Sequence, residues 1–136
     1  MATPKPTSAP GQLETNKRIV REFYDLAFNR REPRDAAAMY VGNTYRQHNP
    51  TIGDGPDAFV QGIGAFLNSA PHLRVDFKRF IAEGDLVTVH SQFIPVPGTR
   101  GMAAVDIFRL ENEKIVEHWD VMQEIPEKSA NQNTMF

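Results

Sequence analysis

The chain of 136 residues contains no cysteine. That absence excludes disulfides, thiol nucleophiles and thiolate metal sites. No apolar run approaches the roughly 18 residues that a membrane-spanning helix needs. An excess of either charge is also missing. Fifteen Lys and Arg stand against 17 Asp and Glu, for a formal net charge of −2. Such a balance offers no electrostatic footprint to nucleic acid or to an anionic membrane. The N-terminus lacks the apolar core of a secretory signal. These absences together fit a cytoplasmic chain. What is present suits one globular domain: 40% of the residues are hydrophobic, and the length supports a single core.

Residues 1–12, with Pro4, Pro6 and Pro10, read as a disordered leader. Residues 13–126 form the domain, and 127–136 a polar tail. The last two residues, Met135 and Phe136, hint that the chain end docks on something apolar. Helical spacing of Ile19, Val20, Phe23, Leu26, Ala27 and Phe28 predicts a helix over 14–29, capped by Thr15 or Asn16. Pro33 opens a second helix that runs to Tyr40, and Pro56 a third that Pro71 closes. The stretch between them, 44–56, is too rich in Gly, Pro and Asn for a regular element. From His72 the period becomes two. Strands are expected over 72–81, 86–94, 102–110 and 115–123. Helices followed by an antiparallel meander imply an α+β fold, with the helices on one face of a curved sheet.

Asp106 is the anomaly, a carboxylate inside an apolar strand. A hairpin symmetric about Gly98 places His90 opposite it, with the two side chains about 5 Å apart. The next hairpin turns at Asn112–Glu113. A two-residue turn sets Trp119 opposite Asp106, and a three-residue turn with a bulge sets His118 there. The first register keeps Leu110 opposite Ile115 and is the one expected. A one-residue slip would reverse every face of the last strand. An inward carboxylate must be paired, hydrogen-bonded or protonated. Beside an imidazole in an apolar cavity it becomes an acid–base device. The alternative is an ordinary salt bridge between Asp106 and His90 on the solvent face.

The stretch V-D-I-F-R-L-E-N-E-K-I-V-E-H-W-D-V, with Y-R-Q-H-N-P after the second helix and the order of elements, resembles the SnoaL-like branch of the NTF2-like superfamily. The resemblance runs from about Leu13 to Pro126. It implies a conical α+β barrel: a bent antiparallel sheet wrapped by about three N-terminal helices around an internal pocket. It also implies cofactor-free acid–base chemistry on a small carbonyl compound, such as aldol cyclisation, isomerisation or dehydration, in the manner of a polyketide cyclase or ketosteroid isomerase. Matched by position, the acid–base Asp of that branch is Asp106 and the His of the preceding strand is His90. The same superfamily holds members that only bind or scaffold, so a non-catalytic ligand-binding domain is the alternative. A homodimer through the outer sheet face is implied as well. Val87, Val89, Val105 and Val121 would give the sheet apolar side chains on both faces.

In this fold the Y-R-Q-H-N-P segment lies near the pocket mouth. Tyr45 and His48, together with Trp119 and His118, are therefore the expected contacts for a small apolar or carbonyl-containing ligand. Otherwise His48-Asn49-Pro50 is simply a turn. No metal is expected. His48, His90 and His118 could meet Asp106 or Asp120, yet no closely spaced ligand pair of the usual kind occurs.

Overall fold

The computed structural model describes residues 9–136. Residues 1–8 of the expected leader lie outside the described residues. Helix α1 (Gln12–Tyr24) begins after Gly11, whose φ of 85° suits a residue without a side chain. The helix thus starts ahead of Thr15 and Asn16, which lie inside it. Asn16 is buried and accepts a hydrogen bond from Gln12 Nε2 at 2.8 Å.

Ile19, Val20, Phe23 and Tyr24 form the buried stripe of α1. A π-helical turn, Asp25–Asn29, follows directly. This wider turn keeps Leu26, Ala27 and Phe28 buried as well, and Tyr24 packs edge-on against Phe28. Asn29 anchors the turn to the sheet: its side chain both donates to and accepts from the backbone of Val75. Helices α2 (Pro33–Tyr40) and α3 (Pro56–Ser69) each begin at their proline, as expected. Phe59, Ile63 and Leu67 of α3 complete the core against Phe23 and Phe108.

Where the composition argued against a regular element, a strand forms. Strand β1 (Val41–Gln47) pairs parallel with the last strand along the sheet edge. Its register shifts between Val41 and Arg46. Pairing with a finished neighbour outweighs the poor intrinsic preference of Gly42 and Asn43. Strands β2 (Arg74–Glu83), β3 (Leu86–Ile94), β4 (Met102–Glu111) and β5 (Lys114–Glu124) make the antiparallel meander. The sheet is therefore mixed, with strand order β1-β5-β4-β3-β2, and it is bent but not closed.

Two registers differ from expectation, each by one residue. Val89, not His90, lies opposite Asp106. The cause is Gly101, at φ 68°, which sits so close to β3 that a Cβ would fall 1.9 Å from the Phe93 carbonyl oxygen. This contact makes Met102 pair with Phe93 rather than Ile94, and the hairpin loses its symmetry about Gly98. At the other hairpin, Asn112 and Glu113 both take positive φ, and the two-residue turn keeps Leu110 opposite Ile115. A bulge then follows at Val116, between the pairs Leu110–Ile115 and Arg109–Glu117. Every residue beyond it changes face. Asp106 lies opposite Asp120, Phe108 opposite His118, and Trp119 goes to the outer side opposite Ile107.

On that outer face Val105 and Val121 are exposed, whereas Val87 and Val89 are buried inside. The chain end rests there as well. The Phe136 ring lies 5.3 Å from the His90 ring, with Lys78 Nζ 4.9 Å above it. No helix among the described residues is long and apolar enough to cross a membrane.

Candidate active site

The helices and the inner sheet face enclose a cavity of about 220 Å³. Its walls are largely apolar and include Phe28, Phe59, Ile63, Phe66, Phe93 and Met102. Its polar part is Tyr24, Tyr45, Gln47, Asn49, Thr51, Asp106, His118 and Asp120. Among the described residues, no lysine or arginine lines it. A larger groove of about 980 Å³ runs between α1 and β2, walled by Lys17, Arg18, Arg21, Lys78 and Arg79. It is open to solvent and, among the described residues, contains no buried polar group, so the smaller space is the candidate site.

Asp106 is the centre of that space, at 2% exposure. Its Oδ2 accepts a hydrogen bond from the Tyr24 hydroxyl and lies 2.8 Å from His118 Nε2. Its Oδ1 is buried and has no hydrogen-bond partner among the described residues. Burial raises the carboxyl's pKa, and the nearby Asp120 adds to the rise. The contacts from His118 and Tyr24 oppose it without cancelling it. Burial also holds Tyr24 well above the usual phenol range, and the Asp106 charge reinforces this. Tyr24 is thus a hydroxyl donor at any ordinary pH.

The other side of His118 meets β1. Its Nδ1 lies 2.7 Å from Gln47 Oε1, across the Gln47–His118 pair of the parallel register. Asn49 Nδ2 donates to both oxygens of Asp120, at 3.0 and 2.9 Å. Tyr45, stacked over His118 at 6.5 Å between ring centroids, accepts weakly from Gln47 Nε2 at 3.4 Å. Burial raises the Tyr45 pKa too, so its proton stays in place.

The expected site residues therefore divide. Asp106, His118 and Tyr45 come together on the cavity wall. His90 does not: it lies on the outer face, where Arg79 donates to its Nδ1. Trp119 is also outside, stacked flat on His48 at 4.8 Å. His48 binds Glu117 Oε2 at 2.7 Å and does not line the cavity. These three corrections share one cause, the period of two. The one-residue offsets at Gly101 and Val116 turn His90 and Trp119 outward, and His48 falls between two inward neighbours, Gln47 and Asn49. The imidazole beside Asp106 is supplied by β5 and not by β3.

Tyr24, Gln47 and Asn49 belong to the site without having been expected there. Tyr24 had a readable signal: it follows Val20 by four residues on a buried helix face, and a buried tyrosine hydroxyl needs a partner. Gln47 and Asn49 had none, because their positions depend on β1. As for metal, ligand atoms of Asp106, His118 and Asp120 lie within 4.8 Å of one another. His48 and His90 are not part of that group. Hydrogen bonds from Tyr24 and Asn49 engage Asp106 Oδ2 and both Asp120 oxygens.

The model of the SnoaL-like domain matches residues 20–118. The chain belongs to the SnoaL-like family. Comparison with curated proteins finds no match. Among solved structures, this SnoaL-like chain is similar to TsrD from Streptomyces laurentii, with 21% identity, a TM-score of 0.67, and 80% of this chain and 88% of that one covered. A candidate polyketide cyclase from Bacillus cereus is 17% identical, at a TM-score of 0.71 over 85% and 78% of the two chains. A candidate isomerase of the SnoaL-like family from Agrobacterium tumefaciens is 18% identical, at 0.68 over 80% and 98%. At these identities the likeness establishes the α+β fold alone.

Proposed function

We propose that this SnoaL-like domain moves a proton on a small, neutral carbonyl compound, with Asp106 as the acid–base group. The observation that carries the reading is the buried Asp106 carboxyl on the cavity wall. One oxygen is held by Tyr24 and His118, and the other, Oδ1, has no hydrogen-bond partner among the described residues. A scaffold domain would be expected to show a filled core or a cavity walled by carbon.

The chemistry follows from the placement. The Asp106 carboxylate takes a proton from carbon next to the carbonyl, and the released electron pair moves onto the carbonyl oxygen. The Tyr45 hydroxyl can donate to that oxygen. Tyr24 and His118 stabilise the carboxylate before transfer. Asp106 then returns the proton, either to another carbon in an isomerisation or to the alkoxide formed in an aldol closure. The cavity limits the substrate. About 220 Å³ has room for about seven waters, hence a ligand on the order of ten heavy atoms. With two carboxylates and, among the described residues, no lysine or arginine on the wall, an anionic substrate would meet repulsion.

A panel of small enolisable ketones in deuterated water tests the reading. Incorporation of deuterium by the intact protein, lost in Asp106→Asn, is expected. Incorporation that survives the substitution would identify another base, and none with any ketone would leave the cavity as a binding site.

A further inference from the structure

We propose that Gln47 is a positioning residue that holds the His118 ring with its hydrogen on Nδ1, and so restricts the mobile proton of the site to the side facing Asp106. The consequence for catalysis rests on the acid–base reading above; the ring form does not.

The orientation of Gln47 is set by a backbone group that can only donate. The Asn49 N–H lies 3.0 Å from the Gln47 side-chain oxygen. This settles the orientation of the Gln47 amide, because its NH2 in that place would set donor against donor. The same oxygen lies 2.7 Å from His118 Nδ1. It offers only lone pairs, so the hydrogen between the two atoms must sit on the ring nitrogen. The Gln47 NH2 is directed the other way, toward the Tyr45 hydroxyl. Gln47 is itself secured, since its backbone N–H donates to Asp54 Oδ1 at 2.7 Å and its strand position lies beside His118.

A neutral imidazole carries one hydrogen, and its partner at one nitrogen decides the state of the other. With Nδ1–H fixed, the neutral ring presents a lone pair at Nε2, 2.8 Å from Asp106 Oδ2. The pair then shares one proton along that line. A ring with its single hydrogen on Nε2, the form that free imidazole side chains favour, could not accept a proton from Asp106. Asn49 thereby has two functions, holding Asp120 by its side chain and orienting Gln47 by its backbone.

The test is nitrogen NMR of the intact chain labelled with 15N-histidine. The His118 signals are assigned by replacing His48, His72 and His90 one at a time. A pyrrole-type Nδ1 is expected for His118 at every pH, with a pyridine-type Nε2 wherever the ring is neutral. Gln47→Leu is expected to release the Nε2–H form, and Gln47→Glu, which keeps an accepting oxygen, to retain Nδ1–H. Should ketone exchange be found, Gln47→Leu lowers kcat about 10- to 100-fold with little change in KM. A pyridine-type Nδ1 in the unaltered protein overturns the proposal, as does a ring form unmoved in Gln47→Leu. If Gln47→Leu fails to fold, the unaltered protein and Gln47→Glu still decide. Nδ1–H found without exchange activity removes the catalytic reading and leaves the role of Gln47 intact. Exchange activity with the other ring form does the reverse.

Discussion

Strand β5 carries two polar clusters back to back, and they are built in opposite ways. On the inner face His118 and Asp120 join Asp106 and Tyr24 in the cavity, which no lysine or arginine among the described residues lines. On the outer face Glu117 accepts from Arg109 Nε at 2.8 Å and contacts His48 Nε2 at 2.7 Å, beside the His48–Trp119 stack. Both central carboxylates are buried. Burial pushes each pKa up, but only the outer one has partners that outweigh it. His48 and Arg109 hold Glu117 below its usual range, whereas Asp106 stays above its own. Alternation along one strand thus separates a carboxylate that stabilises the fold from one that the fold carries at a cost. Such a division is what the acid–base reading proposed above expects.

The largest break in this comparison is expected from Asp106→Asn. Ketone exchange should fall by about 10²-fold or more, the usual contribution of a positioned acid–base group. Stability should move the other way. A folded pKa above the unfolded value means that the native state favours the proton. The charged form therefore costs stability once the pH exceeds the unfolded value of about 3.9. Asp106→Asn should melt at or above the temperature of the unaltered protein at neutral pH, and the gain should vanish in acid. Thermal melts across pH measure this.

Glu117→Gln should give the mirror result. Losing hydrogen bonds to a charged, buried group costs about 1.5–3 kcal/mol, while exchange should stay within about twofold. Because the Glu117 pKa is lowered on folding, its contribution is present above the unfolded value of about 4.3 and fades as the pH falls through the folded one. Denaturant melts at pH 7 and pH 3 would show the difference shrinking. Should Glu117→Gln abolish exchange with the fold intact, the two faces are coupled and the division fails.

The same alternation explains how much of the site could be read in advance. Helices α2 and α3 and the four meander strands follow from proline placement and apolar period, whereas the inward position of Asp106 was left open against a salt bridge on the solvent face. The partner of Asp106 does not, because it depends on single residues. Gly101 packs against the Phe93 carbonyl, and Val116 is inserted as a bulge. Each shifts a register by one, and neither has a composition that announces it. Strand β1 was hidden for another reason. Its residues favour a loop, and only the edge of β5 makes them a strand. Gln47 and Asn49 were hidden with it.

Smaller effects sharpen the picture. Ser91 is fully buried on the inner face, and its hydroxyl has no partner among the described residues. Ser91→Ala should be neutral or stabilising by about 1 kcal/mol, read from a denaturant midpoint. On the outer face Val121 is 76% exposed. We read this apolar position, with Val105, as part of a contact between two copies. Sedimentation of Val121→Asp should then show a shift toward the monomer, with exchange little changed.

The central claim is that a single buried carboxyl on the cavity wall is kept out of its ordinary protonation equilibrium. Carbon NMR of the Asp106 side-chain carboxyl, assigned with Asp106→Asn and followed across pH, measures it directly. Titration clearly above the ordinary aspartate value of about 3.9 is the predicted result. A carboxyl that titrates at or below that value would be an ordinary ion-pair member, and the account of the site would be contradicted.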